Sequence, residues 1–114
     1  MPLIDLKTTT TVTKENEQEL IREFGEKIAI LPGKTEDWLM LNFSDNCRMA
    51  FRGETTPDIA FLEVKLLGAS TKDAYERLTA ALTETVTRIL GVPSDRVYVK
   101  YEEIGTWGYN GSNF

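Results

Sequence analysis

An internal repeat limits what this chain can fold into more than any other feature of its sequence. Residues in the second half repeat the character of residues 58 positions earlier, without a gap, in three successive blocks. The first blocks, 3–7 and 61–65, are short apolar runs that end in lysine, and the last blocks, 33–43 and 91–101, each begin with glycine. Three matches at one offset indicate that one structural unit occurs twice.

The middle block of each repeat has the spacing of an amphipathic helix, over 14–31 and again over 71–90. Apolar residues recur every three or four positions, and the matched pairs are Leu20 and Leu78, Phe24 and Leu82, Ile28 and Val86, and Leu31 and Ile89. Ser70 and Asp73 are predicted to cap the second helix. Each repeat therefore predicts a strand, a helix and a second strand.

The predicted fold is α/β (α+β), a tandem β-α-β repeat that forms a four-stranded sheet with two helices on one face. Right-handed crossovers make the two strands of each half parallel. At 114 residues the chain is expected to be one domain, with repeats at about 2–45 and 59–103 and a tail at 104–114 that is rich in glycine and aromatic residues.

The stretch WLMLNF, residues 38–43, adds an expectation about assembly. Its apolar residues occupy both sides of an alternating strand, so both faces of the sheet are expected to need cover. Four strands at about 4.8 Å are only as wide as two helices at about 10 Å, so the helices cover one face. The other face is therefore expected to be covered by association with further subunits.

Composition argues against several kinds of function. Thirteen Lys and Arg against 18 Asp and Glu give a net charge of −5 with no basic cluster, which disfavours nucleic acid and anionic membranes as partners. The chain has no histidine, which removes Ser–His and Cys–His catalysis and most zinc sites, and no metal is expected. The single cysteine, Cys47, cannot form an internal disulfide and is interpreted as a packing residue.

The start of the chain, MPLIDLK, looks like a strand and lacks the basic and apolar regions of a secretory signal. No stretch approaches the roughly 20 apolar residues of a membrane span. These features predict a cytoplasmic protein, and they leave export without a leader open.

Pro2 is the candidate catalytic residue. Removal of the initiator methionine would expose the secondary amine of Pro2 at the start of a buried strand. An α-amine titrates near neutrality, and burial or a nearby cation lowers its pKa, so a neutral amine can act as a general base near pH 7. From composition alone, an ordinary proline at a strand edge is the simpler interpretation.

Four short motifs follow one another along the chain: the Met1–Pro2 start, MAF at 49–51 with Gly53 and Pro57 after it, SDRVY at 94–98, and a closing pattern of Gly108, an aromatic residue, Asn110, Ser112 and Phe114. In this order and spacing they resemble the tautomerase superfamily, and within it the macrophage migration inhibitory factor group. The resemblance covers nearly the whole chain. It implies a homotrimer whose sheets line a central barrel, with an active site at each subunit interface and the terminal proline as base.

The resemblance also implies roles for individual residues. Lys34 would hold a substrate carboxylate, Leu66 would contribute backbone contacts, and Tyr98 would come from the adjacent subunit. Aromatic side chains would line the pocket and its rim, namely Trp107, Tyr109, Phe114 and Trp38. Without the resemblance, Lys34 complements a helix dipole, Tyr98 is a cross-strand aromatic, and the tail aromatics pack in an interface.

Some positions depart from the family pattern. Lys100 stands where the animal proteins have asparagine, and it adds a candidate cation near the carboxylate site. Tyr109 replaces the usual tryptophan, and Trp107 replaces an aliphatic residue. DIAF at 58–61 replaces a CxxC pair, so thiol–disulfide activity is not expected.

Together these residues predict a keto–enol tautomerase of the phenylpyruvate type, in which Pro2 moves a proton on an α-keto acid or its enol without a cofactor. Two alternatives stay open. One is a cytokine-like signalling or binding protein that keeps the pocket and has an unknown receptor. The other is a related proline-based dehalogenase or decarboxylase, which would need arginines around the proline.

Overall fold

Two β-α-β units form the fold, as the repeat predicts. The computed structural model describes residues 1–114. The first unit comprises β1 (Pro2–Thr8), α1 (Lys14–Lys27) and β2 (Met40–Ser44), and the second comprises β3 (Ala60–Leu67), α2 (Lys72–Leu90) and β4 (Val97–Ile104). A small hairpin of β5 (Gly108–Tyr109) and β6 (Ser112–Asn113) ends the chain. The predicted fold class is therefore confirmed.

The four long strands lie in the order β2-β1-β3-β4. β1 is parallel to β2 and β3 is parallel to β4, which confirms the predicted pairing within each half. The central pair, β1 and β3, is antiparallel. This register places Pro2, at the start of β1, opposite Leu66, near the end of β3.

The core lies between the two helices and one face of the sheet. Buried positions alternate along β1 and β3, as expected for strands with one covered face. Nearly all of the matched helix residues of the repeat are fully buried, and each such aliphatic side chain stabilises the fold by about 1.5–3 kcal/mol. Neither helix combines the length and the apolar composition that crossing a membrane requires.

The ends of the helices differ from the predicted ranges. α1 stops at Lys27, and a short 3-10 helix over Ile28–Ile30 carries the chain to the buried Leu31. The cap of α2 is Thr71, whose hydroxyl accepts a hydrogen bond from the Ala74 N–H at 3.1 Å. The predicted cap at Ser70 is wrong by one residue, because the extended residue directly before the first helical one takes this role.

The middle of the open face of the sheet is polar, which corrects the expectation that this whole face needs apolar cover, and large exposed hydrophobic residues remain only toward its ends, at Met40 and Tyr98. Ion pairs run along its strands, with Nζ–carboxylate distances of 3.1 Å for Lys7 and Asp5, 3.4 Å for Lys65 and Glu63, and 2.7 Å for Lys100 and Glu102. The stretch WLMLNF misled because Trp38 belongs to a 3-10 helix over Glu36–Trp38, and β2 begins only at Met40.

A buried carboxylate joins the two helices. The Glu23 side chain on α1 is only 6% exposed, and it forms ion pairs with Lys27 and with Arg88 of α2. The Thr85 hydroxyl also donates to Glu23, at 3.1 Å. Hydrogen bonds from Arg88 and then from Lys27 lower the pKa of Glu23 to about 2. The carboxylate is therefore charged in the folded protein throughout the neutral range.

This Glu23 network predicts that stability falls in acid. Because the folded pKa lies below the ordinary 4.5, the network stabilises the fold above about pH 5, and its contribution is lost as the pH falls toward about 2. Arg88 and Lys27 are partly exposed, so we expect a loss of only about 1–3 kcal/mol in the free energy of unfolding.

Urea unfolding at several pH values measures this loss. Glu23→Gln should flatten the acid dependence, whereas Glu19→Gln, on the exposed side of the same helix, should leave it unchanged. The same pH dependence in Glu23→Gln and in the unaltered protein would contradict the assignment.

Candidate active site

A groove of about 360 Å³ opens at the start of β1. Residues 1–3, 37–40 and 107–109 line it, and seven of these ten are hydrophobic. Pockets for small molecules are commonly apolar clefts with a few polar groups, and this groove has that character.

The segment between α1 and β2 brings both Lys34 and Trp38 to this end of the sheet. Gly33 has a φ of 80°, a left-handed conformation that favours glycine, and it turns the chain just after the buried Leu31. The backbone N–H of Lys34 closes this turn by donating to the Leu31 carbonyl at 3.0 Å. The following 3-10 helix then places Trp38 in the groove.

The amino end of the chain lies beside Lys34. The Met1 carbonyl accepts a hydrogen bond from the Leu67 N–H at 3.0 Å, and Lys34 Nζ donates to the Leu67 carbonyl at 2.9 Å. Burial, and then the positive charge of Lys34, lower the pKa of the Met1 α-amine from its ordinary value. An amine at this end of β1 is therefore held in surroundings that favour its neutral form.

Pro2 and Leu66 form a pair across β1 and β3. Both residues are buried, and the Leu66 side chain belongs to the core. The Leu66 side chain is therefore not available to a ligand, and the backbone role that the family resemblance implies for Leu66 stays a prediction.

An aromatic cluster forms one wall of the groove. The Trp38 ring meets Tyr109 edge-on, with ring centres 5.1 Å apart, and meets Phe114 in the same way at 6.3 Å. The Phe114 N–H donates to the Trp107 carbonyl at 3.0 Å and so folds the last residue back onto the hairpin. The tail thus packs against its own chain. Trp38, Trp107 and Tyr109 line the groove as predicted, whereas Phe114 packs against Trp38 and Tyr109 without lining it.

Tyr98 and Lys100 lie away from this groove. They are paired in the sheet with Phe61 and Glu63, which precede Leu66 by five and three residues. At about 3.3 Å per residue, they are about 16 and 10 Å along the sheet from the level of Pro2. Their part in a site formed with another subunit stays a prediction.

Each of these two residues already has partners in its own chain. The Tyr98 ring packs edge-on against Phe51, with ring centres 5.3 Å apart. Lys100 forms its ion pair with Glu102, and the Glu102 carboxylate raises the pKa of Lys100. The positive charge of Lys100 is therefore partly neutralised within the chain.

Beyond Met1, sequence reasoning missed five residues that line the groove, Leu3, Asp37, Leu39, Met40 and Gly108. Asp37 was visible as a carboxylate between Lys34 and Trp38, but nothing in the spacing showed that it faces the same space. The polar groups at this end are thus an amine, an ammonium group, backbone carbonyls and one carboxylate.

Known proteins resemble this chain over its full length. Residues 1–114 match the family model for macrophage migration inhibitory factor (MIF). A macrophage migration inhibitory factor homolog of Trichuris trichiura is 27% identical over 109 residues, which are 93% of this chain and 95% of the relative.

Solved structures agree. The crystal structure of Leishmania major MIF2 is 27% identical, with a TM-score of 0.93 over 100% of this chain and 97% of its own. The homologue from Prochlorococcus marinus is 29% identical, with a TM-score of 0.88 over 98% of each chain. Because the family model and these relatives match from end to end, the chain, with its tautomerase fold, belongs to the macrophage migration inhibitory factor family.

Proposed function

We propose that the protein is a keto–enol tautomerase of the phenylpyruvate type whose base is the amine of Pro2 after Met1 is removed. The observation that supports this most is the position of the amino end, in an apolar groove beside Lys34. The Met1 amine already has a lowered pKa there, and Pro2 is more deeply buried than Met1. A proline amine at this place would be neutral near pH 7 and able to accept a proton.

In this proposal the neutral amine takes a proton from the carbon next to the ketone of an α-keto acid, and the carbonyl oxygen gains a proton from water to give the enol, after which the Pro2 ammonium gives its proton back to water. In the reverse direction the enol oxygen loses its proton to water, and the Pro2 ammonium gives a proton to that carbon. Lys34 holds the substrate carboxylate, a charge-assisted contact that fixes the reacting carbon near the amine. No metal or organic cofactor takes part.

The aromatic wall supports an aromatic or large apolar substrate side chain. Trp38, Trp107 and Tyr109 present ring faces and edges to the groove, and such surfaces favour another ring by both burial and geometry. Phenylpyruvate combines this kind of side chain with an α-keto acid.

The test is the rate of phenylpyruvate tautomerisation, followed by enol absorbance, for protein whose mass shows that Met1 is absent. Pro2→Gly is the discriminating comparison. Chains that retain Met1 should be inactive, because the Pro2 nitrogen is then an amide without basicity.

Inactivity of the processed protein on every enolisable α-keto acid tried would instead favour a cytokine-like binding role, which the family names suit equally well. The dehalogenase or decarboxylase alternative gains no support, since no arginine lines the groove.

We also propose a homotrimer in which Tyr98 and Lys100 complete the groove of a neighbour. The outer edges of β2 and β4 are unpaired within the chain, and such edges favour pairing with another chain. Tyr98, the second residue of β4, is 61% exposed although it is a large aromatic residue.

Sedimentation equilibrium at micromolar concentration should give about three times the 12.9 kDa subunit mass. Edge pairing should resist salt, so the same mass is expected in high salt. A stable monomer would contradict the trimer and would leave Tyr98 and Lys100 with no part in the site.

A further inference from the structure

Asp37 is an unpaired carboxylate that lines the groove. It lies in the middle of the 3-10 helix Glu36–Trp38, and it forms none of the chain's ion pairs or side-chain hydrogen bonds. The neighbouring Glu36 side chain lies instead over Gly25 of α1, where its carboxylate fills the space that a Cβ would take. Two adjacent acidic residues thus have different surroundings, and only Asp37 reaches the groove.

Asp37 and Lys34 lie on opposite sides of the amino end. In the sheet, β1 lies between β2 and β3. Asp37 precedes β2, whose Met40 pairs with Leu3, whereas Lys34 reaches the Leu67 carbonyl at the end of β3. Asp37 therefore comes to the amino end from the side of β2, and the Lys34 ammonium is held at the end of β3. Asp37 lines the groove together with Pro2, whereas Lys34 lies beside the amino end and is not one of the residues that line the groove.

From this charge arrangement we infer that Asp37 is a specificity-determining residue, which favours α-keto acids with an uncharged far end over dicarboxylic ones. The inference rests on the proposed tautomerase function, because it takes the substrate orientation from the carboxylate on Lys34. With that carboxylate at Lys34 and the reacting carbon at Pro2, the rest of the substrate extends toward Asp37 and the aromatic wall. A second carboxylate there meets a like charge, and an uncharged group does not.

The expected effect is moderate, because Asp37 is exposed to solvent. Two like charges about 6 Å apart repel enough in water to change binding by about threefold, and a lower effective dielectric inside the groove strengthens the effect to about tenfold. The preference for the uncharged substrate should therefore lie in this range and appear mainly in KM.

Oxaloacetate and its 4-methyl ester provide a matched test, since they share one carbon skeleton and differ in the far carboxylate. Tautomerisation rates give one measurement. Quenching of tryptophan fluorescence gives a second that needs no turnover, because both tryptophans of the chain, Trp38 and Trp107, line the groove. The unaltered protein should prefer the ester, and Asp37→Asn should reduce that preference by about three- to tenfold.

Glu36→Gln is the control, because it makes the same change in net charge outside the groove and should leave the preference as it is. A preference that survives Asp37→Asn, or that falls equally in Glu36→Gln, overturns the inference and leaves the tautomerase function intact. Turnover of neither compound nor of phenylpyruvate, with a fluorescence preference that Asp37→Asn removes, supports the inference and contradicts the proposed function. Failure of both compounds to react or to quench fluorescence overturns the inference, while the phenylpyruvate rate still tests the tautomerase function.

Discussion

Pro2→Gly is expected to lower kcat/KM for phenylpyruvate by about 10²-fold, the lower end of what a general base contributes. Glycine keeps an α-amine, so a remnant of activity should survive. It loses the ring that packs at the start of β1, however, and the more mobile amine is better solvated. The nitrogen then spends less time neutral and less time near the reacting carbon.

Pro93→Gly is the matched control for this substitution. Pro93 lies in the turn before β4, and β4 begins beside Ala60, at the other end of β3 from Leu66. We expect this variant to keep nearly full activity. A similar loss in both variants would point to general damage to the fold, and an undiminished rate in Pro2→Gly would remove Pro2 from its role as base.

Lys34→Ala should weaken the binding of α-keto acids by about 10- to 100-fold while leaving their methyl esters nearly unaffected. A charge-assisted hydrogen bond contributes roughly 1.5–3 kcal/mol, which corresponds to this range. Lys34 is already held beside the amino end by its bond to the Leu67 carbonyl, so little side-chain entropy remains to be lost when a carboxylate binds. Competition binding against acid and ester pairs measures the difference.

The same substitution should change the pH–rate profile. The charge of Lys34 helps to lower the pKa of the Met1 amine, and we expect the same effect on the Pro2 amine of the processed protein, so removal of Lys34 should raise the pKa of the base. The base is active only when neutral, and its acid limb should therefore move to higher pH. Lys72→Ala, which removes an exposed lysine at the start of α2, is the control and should change neither property. Equal losses on acid and ester would exclude Lys34 as the carboxylate site.

Much of the fold could be predicted because the spacing of apolar residues along the chain determines which segments form helices and strands. The 58-residue offset showed two β-α-β units, and the helical spacing of residues such as Leu20 and Phe24 identified the core. The prediction that the apolar residues of WLMLNF point to both faces of the sheet was wrong, because side chains alternate between faces only within a strand. Trp38 lies in a turn of 3-10 helix before the strand begins at Met40.

The groove was harder to predict than the fold. Its aromatic wall joins residues 38, 107, 109 and 114, which meet only because the last hairpin folds back on the loop before β2. No period in the sequence encodes that contact, and the family resemblance alone supplied it. The pairing of Lys100 with Glu102 could be predicted from the sequence, since residues two apart on a strand share a face.

Both ends of the chain meet at one place, and this has a practical consequence for anyone who handles the protein. A purification tag before Pro2 would turn the proposed base into an amide, and a tag after Phe114 would pull on a ring that packs against Trp38. Neither terminus can be extended without altering the groove. An insertion in the exposed turn at residues 52–57 leaves both ends free for measurement.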